Sequence, residues 1–249
     1  MLLSRRRFSL GLLACPLCAG MAQAADAPHW DYEGHGGAQK WGELDGSYKT
    51  CGIGTEQSPI DLSGAVKATL DPLRIDWKPQ AFKIVNNGHT IQANAAPGST
   101  LVIGKDTYNL VQFHFHAPSE HAVNGKRFAM EVHFVHAGPD GRLAVVGVFM
   151  QPGRKNAAFA AIMQAAPRAE GEKTLAEPID PRQFLPAGKA LFRYKGSLTT
   201  PPCSEVVDWN IFEQPIEVAE ADIKAFQAIF AMNARPLQPL NRRFLLRGV

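Results

Sequence analysis

The sequence predicts a single domain of mainly β (α+β) class, built on a large, mostly antiparallel central sheet with peripheral helices. Short β-type runs, punctuated by turn signals, fill the chain from Phe82 onward. One of them, Leu143-Ala144-Val145-Val146-Gly147-Val148-Phe149-Met150, is continuously apolar, as a strand buried on both faces would be. Helical character is confined to two stretches, and no linker or composition break divides residues 26–249.

Residues 1–25 stand apart. Arg5, Arg6 and Arg7 form a positive start, Phe8 to Gly20 is mostly apolar, and Ala22-Gln23-Ala24 is a small-x-small cleavage site. This pattern predicts a cleaved signal peptide and hence a periplasmic or secreted protein; the apolar run is too short for a transmembrane segment. Ser4-Arg5-Arg6-Arg7-Phe8 also resembles a twin-arginine export signal, and both export routes stay open. Without the leader's three arginines the formal charge of +3 falls to zero, so nothing suggests a nucleic-acid partner. Arg235, Arg242, Arg243 and Arg247 near the end read as a solvated surface. The four cysteines become two, Cys51 and Cys203. In an oxidising compartment an even pair suggests one disulfide, with two buried thiols as the alternative.

Residues 26–60, rich in glycine and carrying Trp30, Tyr32 and Trp41, read as an ordered, loop-like arm. Phe82 to Val85 is a strand ended by Asn86-Asn87-Gly88, and Leu101 to Asp106 is a strand end with its turn. Tyr108 to His116 and Phe128 to His136 alternate as strands do, and Pro139-Asp140-Gly141 turns into the apolar run. Asn156 to Ala166 is Ala-rich and stops at Pro167. Ala219 to Met232 spaces Ile223, Phe226, Ile229 and Phe230 as a helix would.

The strongest chemical signal is Gln112-Phe113-His114-Phe115-His116. Side chains two apart on a strand share a face, so His114 and His116 project together while Phe113 and Phe115 point into apolar packing. Glu131-Val132-His133-Phe134-Val135 repeats the alternation. If the two strands are neighbours, His133 becomes a third imidazole ligand, leaving one open position of the kind a catalytic zinc keeps. Gln112 and Glu131 lie in phase with these histidines, where they could hold the second ring nitrogens. His121 and His136 read as structural hydrogen-bonding residues, and His29 and His35 as exposed or structural; the residues alone assign nothing to His89.

These motifs, in their order, resemble the α-class carbonic anhydrases, in the bacterial exported branch. The matches run from His29-Trp30-Asp31-Tyr32 through Gln57-Ser58-Pro59-Ile60-Asp61, Asn86-Asn87-Gly88-His89, the two histidine strands, Ser119-Glu120-His121, Leu143-Ala144-Val145 and Gly196-Ser197-Leu198-Thr199-Thr200-Pro201-Pro202 to Trp209 and Asn241-Arg242. The resemblance implies that residues 26–249 form a catalytic domain performing the zinc-dependent, reversible hydration of carbon dioxide to bicarbonate and a proton. One Zn2+ per chain would be held by His114, His116 and His133, and its hydroxide would attack the substrate. Thr199 would orient the hydroxide, Glu120 would orient Thr199, and His89 would shuttle the proton. Val135, Val145, Leu198 and Trp209 would form the carbon dioxide wall. Thr200 would bind bicarbonate and Tyr32 would order water. The resemblance also implies a Cys51–Cys203 bridge and inhibition by sulfonamide-type and anionic compounds.

Rival readings lack support in the residues. The first motif of a cupin fits His114-x-His116-x-x-x-Glu120, but Tyr108 stands where that family has glycine, and no histidine follows His136 for its second motif. A non-enzymatic relative on the same fold would lack a zinc ligand, and no Gly-x-Ser-x-Gly elbow supports a serine esterase. The sequence leaves the oligomeric state open; a homodimer is compatible with it.

Overall fold

The computed structural model describes residues 28–248; the leader expected over residues 1–25 lies outside them. The chain forms β1 (Val66–Lys67), β2 (Leu73–Asp76), β3 (Lys83–Asn86), β4 (Ile91–Asn94), β5 (Thr100–Ile103), β6 (Asp106–His116), β7 (Ala122–Val123), β8 (Lys126–Arg127), β9 (Met130–Ala137), β10 (Leu143–Pro152), β11 (Gly171–Thr174), β12 (Leu191–Gly196), β13 (Val207–Val218) and β14 (Leu246–Gly248). Four α-helical segments accompany them: α1 (Trp41–Leu44), α2 (Thr50–Ile53), α3 (Ala157–Ala165) and α4 (Glu220–Gln227). Among the described residues no helix is long and apolar enough to cross a membrane.

Twelve strands make one sheet, ordered β1-β14-β12-β13-β10-β9-β6-β4-β3-β11, with β2 joined through β5 to β6. Its pairings are antiparallel except β10 with β13 and β1 with β14, so the sheet is mixed. β7 and β8 form a separate small ribbon.

The apolar run at Leu143 becomes β10, in the centre of the sheet and buried on both sides as its composition requires. Ala144, Val146, Val148 and Met150 join the main core, while Val145 and Phe149 face a second apolar layer with Val207, Trp209 and Ile211. The main core also holds Phe113, Phe115, Val132 and Phe134, and is closed by α3 and α4 through Phe159, Ile162, Ile223 and Phe226. The side chain of Asn156 caps α3 by accepting from the Phe159 N–H at 3.0 Å.

Three elements depart from the sequence expectation. α4 stops at Gln227, although Ile229 and Phe230 still pack on the core; the chain then passes through a turn to Asn233, beside the histidines. The local pattern also gives no sign of β12 and β13. Asp208, Asn210 and Pro215 interrupt the apolar character of β13, yet it is the longest strand and lies parallel to β10.

Candidate metal centre and catalytic pocket

A β-bulge decides which side chains of β6 meet. Leu110 stands opposite His136 and Gln112 opposite Val135, so Val111 is the extra residue. Before it, Tyr108 and Leu110 point into the main core; after it, Phe113 and Phe115 do. The inserted residue reverses the parity of the strand and turns Gln112, His114 and His116 onto the opposite face, a role bulges often play beside functional sites. His114 pairs directly with His133 on β9, and His116 with Glu131. The three imidazoles therefore meet, with one nitrogen of each inside a 4.8 Å cluster.

The outer nitrogen of each ring is held differently. Gln112 Oε1 lies 2.8 Å from His114 Nδ1, and the Asn233 carbonyl lies 2.7 Å from His116 Nδ1. Each contact leaves Nε2 facing inward. His133 Nε2 is 2.9 Å from Glu131 Oε1, a short polar contact not aligned as a hydrogen bond, and its Nδ1 is the inward atom. Glu131 also accepts from the His121 backbone N–H at 2.9 Å and contacts His121 Nδ1 at 2.8 Å. Burial opposes ionisation of Glu131, but His121 and His133 together hold its carboxyl well below the ordinary range. Gly147, opposite His133, leaves the space Glu131 uses: a Cβ there would sit 3.1 Å from Glu131 Oε1.

These features fit a metal. His116 Nε2 is buried without a partner, and burial, followed by His116 and His133, lowers the His114 pKa well below its usual value. Neutral imidazoles with free inward nitrogens are the donor set that zinc takes. A second trio, His121, Glu131 and His133, is also close enough for a cation, but its atoms already contact one another.

The sequence-derived pocket residues come together. Tyr32, His89, Val135, Val145, Leu198, Thr199, Thr200 and Trp209 line one cavity of about 160 Å3 with the three histidines. Val145 is the register partner of both Val135 and Trp209, so three adjacent strands build one apolar wall. His89 is half-buried and stacks on Trp30, with ring centroids 3.7 Å apart. Burial, then the neighbouring His29, lowers its pKa. Burial first, then Glu120 and Asp31, raises that of Tyr32.

Glu120 lies behind the cavity. Its Oε1 accepts from the Arg235 N–H at 2.9 Å, while Oε2 is buried without a hydrogen bond, 3.5 Å from His116 Nε2. The Thr199–Glu120 hydrogen bond implied by the family resemblance is not formed among the described residues. The loop carrying Thr199 is pinned elsewhere. Trp209 Nε1 donates to the Ser197 carbonyl at 3.0 Å, and the Ser58 N–H to Ser197 Oγ at 2.9 Å. Cys203 forms a disulfide with Cys51.

Sequence reasoning missed three contributors. Asn233 is 117 residues from His116 and carries no local signal. Arg235, read as solvated surface, is 1% exposed and donates to the Ser58 and Cys51 carbonyls. Burial pulls its pKa down to about 10. Tyr194 hydroxyl is 2.7 Å from His121 Nε2 and donates to Ser58 Oγ at 2.9 Å, extending the polar chain behind His133.

Comparison with known proteins points one way. The family described as eukaryotic-type carbonic anhydrase matches residues 36–247. A carbonic anhydrase of Pectobacterium carotovorum is 40% identical over 227 residues, 90% of this chain and 93% of the relative. One from Nostoc is 43% identical over 239 residues, 93% and 90% of the two chains. The solved α-carbonic anhydrase of Thermovibrio ammonificans, in complex with sulfanilamide, superposes with a TM-score of 0.86 at 42% identity, covering 88% of this chain and 99% of that one. A carbonic anhydrase of Chlamydomonas reinhardtii in complex with acetazolamide gives 0.78 at 37% identity, covering 88% and 99%.

Proposed function

We propose a mechanism on one premise: the chain belongs to the α-class carbonic anhydrase family and is an enzyme of that kind, whose general reaction is the hydration of carbon dioxide. The observation that carries the proposal is the convergence of three buried imidazoles, each restrained through its outer nitrogen, on one apolar-walled cavity. His114, His116 and His133 would hold one zinc ion. Zinc, when bound, supplies the Lewis acidity that brings the pKa of a coordinated water near 7, a value already known for this family.

The remaining steps belong to side chains. Val135, Val145, Leu198 and Trp209 offer carbon dioxide, which has little polarity, an apolar resting place. Thr199 lines the cavity, where its hydroxyl can orient a solvent oxygen toward the substrate. Glu120 Oε2 is the buried acceptor still open to that hydroxyl. Thr200 and Tyr32 also line the cavity, where Thr200 would hydrogen-bond bicarbonate and Tyr32 would order water. His89, at the cavity and partly exposed, would pass the released proton to buffer. Gln112, Glu131 and the Asn233 carbonyl fix the ligand rings. The leader pattern and the disulfide support export to an oxidising compartment. Sulfanilamide and acetazolamide, bound by the two solved relatives, would bind here as well.

The test is metal analysis of the purified protein together with stopped-flow carbon dioxide hydration. The expected result is one zinc per chain and activity that chelation removes. Activity in demonstrably zinc-free protein would overturn the mechanism. His89→Ala should turn over more slowly in weak buffer and recover with imidazole; a variant that imidazole leaves unrescued would exclude His89 as the shuttle.

A further inference from the structure

A second cavity lies apart from the histidine pocket and shares no lining residue with it. It is larger, about 700 Å3 against about 160 Å3. Its walls are Arg193, Tyr194 and Lys195 of β12, Leu246 of β14, the Asn241–Phe244 loop, and Thr55 with Glu56. That volume is in the range of small-molecule sites. We propose that this cavity binds an organic monoanion: a carboxylate on an apolar body about the size of one ring.

The charge argument comes first. Among the described residues Arg193, Arg242 and Arg243 have no carboxylate partner, while Lys195 is paired with Asp208 at 2.9 Å. Glu56 is the one acidic side chain of the lining. An unpaired guanidinium group on a surface is ordinary; three around one concavity concentrate positive potential in it.

The second argument is rigidity. Arg243 donates to the carbonyls of Leu240, Lys195, Gln57 and Pro239 at 2.8–3.0 Å, and its guanidinium lies 5.4 Å from the centre of the Tyr194 ring. It is therefore a fixed charge with one N–H left to offer. Arg193 spends Nε on Asn210 and one N–H on the Asp71 carbonyl, which leaves a pair of donors on its other terminal nitrogen. Arg242 makes no side-chain hydrogen bond to another described residue, so its whole planar fork is open to a carboxylate.

The third argument is the apolar wall. Phe244 is 77% exposed, the most exposed of the large hydrophobic residues described, and it stands at this cavity beside Leu246 and Tyr194. A ring-sized apolar body would cover it, while a bare inorganic anion would not. Glu56 disfavours a dianion.

Benzoate is the probe. It should be titrated calorimetrically into the zinc-loaded enzyme with and without saturating acetazolamide, the ligand that the proposed function assigns to the histidine pocket. Binding should persist with acetazolamide present. Arg242→Glu should weaken it by about tenfold or more, the effect expected from losing a charge-assisted contact and gaining a repulsive one. Phe244→Ala should weaken it less, and Glu56→Gln should tighten it. Both Arg242 and Phe244 are exposed, so these variants should fold, and unchanged hydration activity would verify it. The proposal is overturned if benzoate shows no binding, if acetazolamide displaces it, or if Arg242→Glu leaves its affinity unchanged. Inorganic phosphate binding more tightly than benzoate would overturn the apolar part.

Discussion

His133 and His136 sit three residues apart on β9, and both are sealed from solvent, at 1% and 0% exposure. Burial does not distinguish them; the face of the sheet does. His133 points to the cavity with Nδ1 directed inward, while His136 points to the main core. There the indole N–H of Trp77 donates to His136 Nε2 at 2.9 Å, and His136 Nδ1 reaches the Ala144 carbonyl at 3.2 Å. Both nitrogens of His136 are satisfied, which fixes a neutral tautomer with the proton on Nδ1. A candidate ligand is thus a histidine whose neighbours hold one nitrogen and leave the other open. A structural one has neither to give.

The largest test of that contrast is His133→Ala. Removing the third imidazole should abolish zinc binding and hydration together, while circular dichroism and gel filtration report a folded chain. Retention of stoichiometric zinc with full activity would break the assignment. His136→Ala, by contrast, should keep zinc once folded and lose stability, because it leaves Trp77 without its acceptor.

The opposite face can be broken at Phe113. It stacks on Phe134, with centroids 4.8 Å apart, and meets Phe82 and Phe115 edge-on. Phe113→Ala should cost about 3–5 kcal/mol in urea unfolding. The folded fraction should still bind zinc, since His114 is held by Gln112 and not by Phe113. A loss of zinc affinity larger than the loss of stability would show that the two faces are not separable.

A subtler change lies at Glu131, which holds His133 and His121 at once. Glu131→Gln keeps the shape but removes the charge. Zinc affinity should fall by about 10–100-fold, the usual cost of losing a carboxylate behind a metal histidine. Competition with a chelator of known affinity measures it, and an unchanged constant would reduce Glu131 to a structural ion pair.

The sequence made this contrast readable in part. Alternation around Phe113–Phe115 and Val132–Phe134 separated the polar from the apolar face, and the parity of His136 against His133 marked it as structural. The bulge at Val111 went unread, although the pattern records it: apolar residues occupy Tyr108 and Leu110, then shift phase to Phe113 and Phe115. Asn233 and Arg235 were not legible. They reach the site because the chain leaves α4 and turns back over β6, a contact fixed by tertiary packing and by no local spacing. Arg235 also shows why a charge near the end of a chain cannot be assigned to solvent by composition: carbonyls of the N-terminal arm and the ring of Trp41 surround it.

The smallest effect is the pH response of His136. Burial holds its pKa at about 4, below the ordinary 6.5, while its contacts with the Ala144 and Phe134 backbone pull the other way. Above pH 6.5 the ring is neutral in both folded and unfolded chains, so it contributes no pH dependence. As pH falls from 6.5 toward 4, the unfolded chain takes up a proton that the folded chain refuses. Stability should therefore decline by about 1.4 kcal/mol per pH unit from this group, levelling below pH 4. Protonation would also set a second N–H against the indole N–H of Trp77, which acts in the same direction as burial. Other ionisable groups also contribute to the pH dependence of stability, so the measurement must be a difference. The variant His136→Gln can still accept from Trp77 through its amide oxygen, but it does not titrate. Urea unfolding of both proteins at pH 6.5, 5.5 and 4.5 should show the wild type losing stability more steeply by close to one proton's worth. Parallel slopes would mean that the ring is protonated inside the fold, and the distinction between the two histidines would then rest on geometry alone.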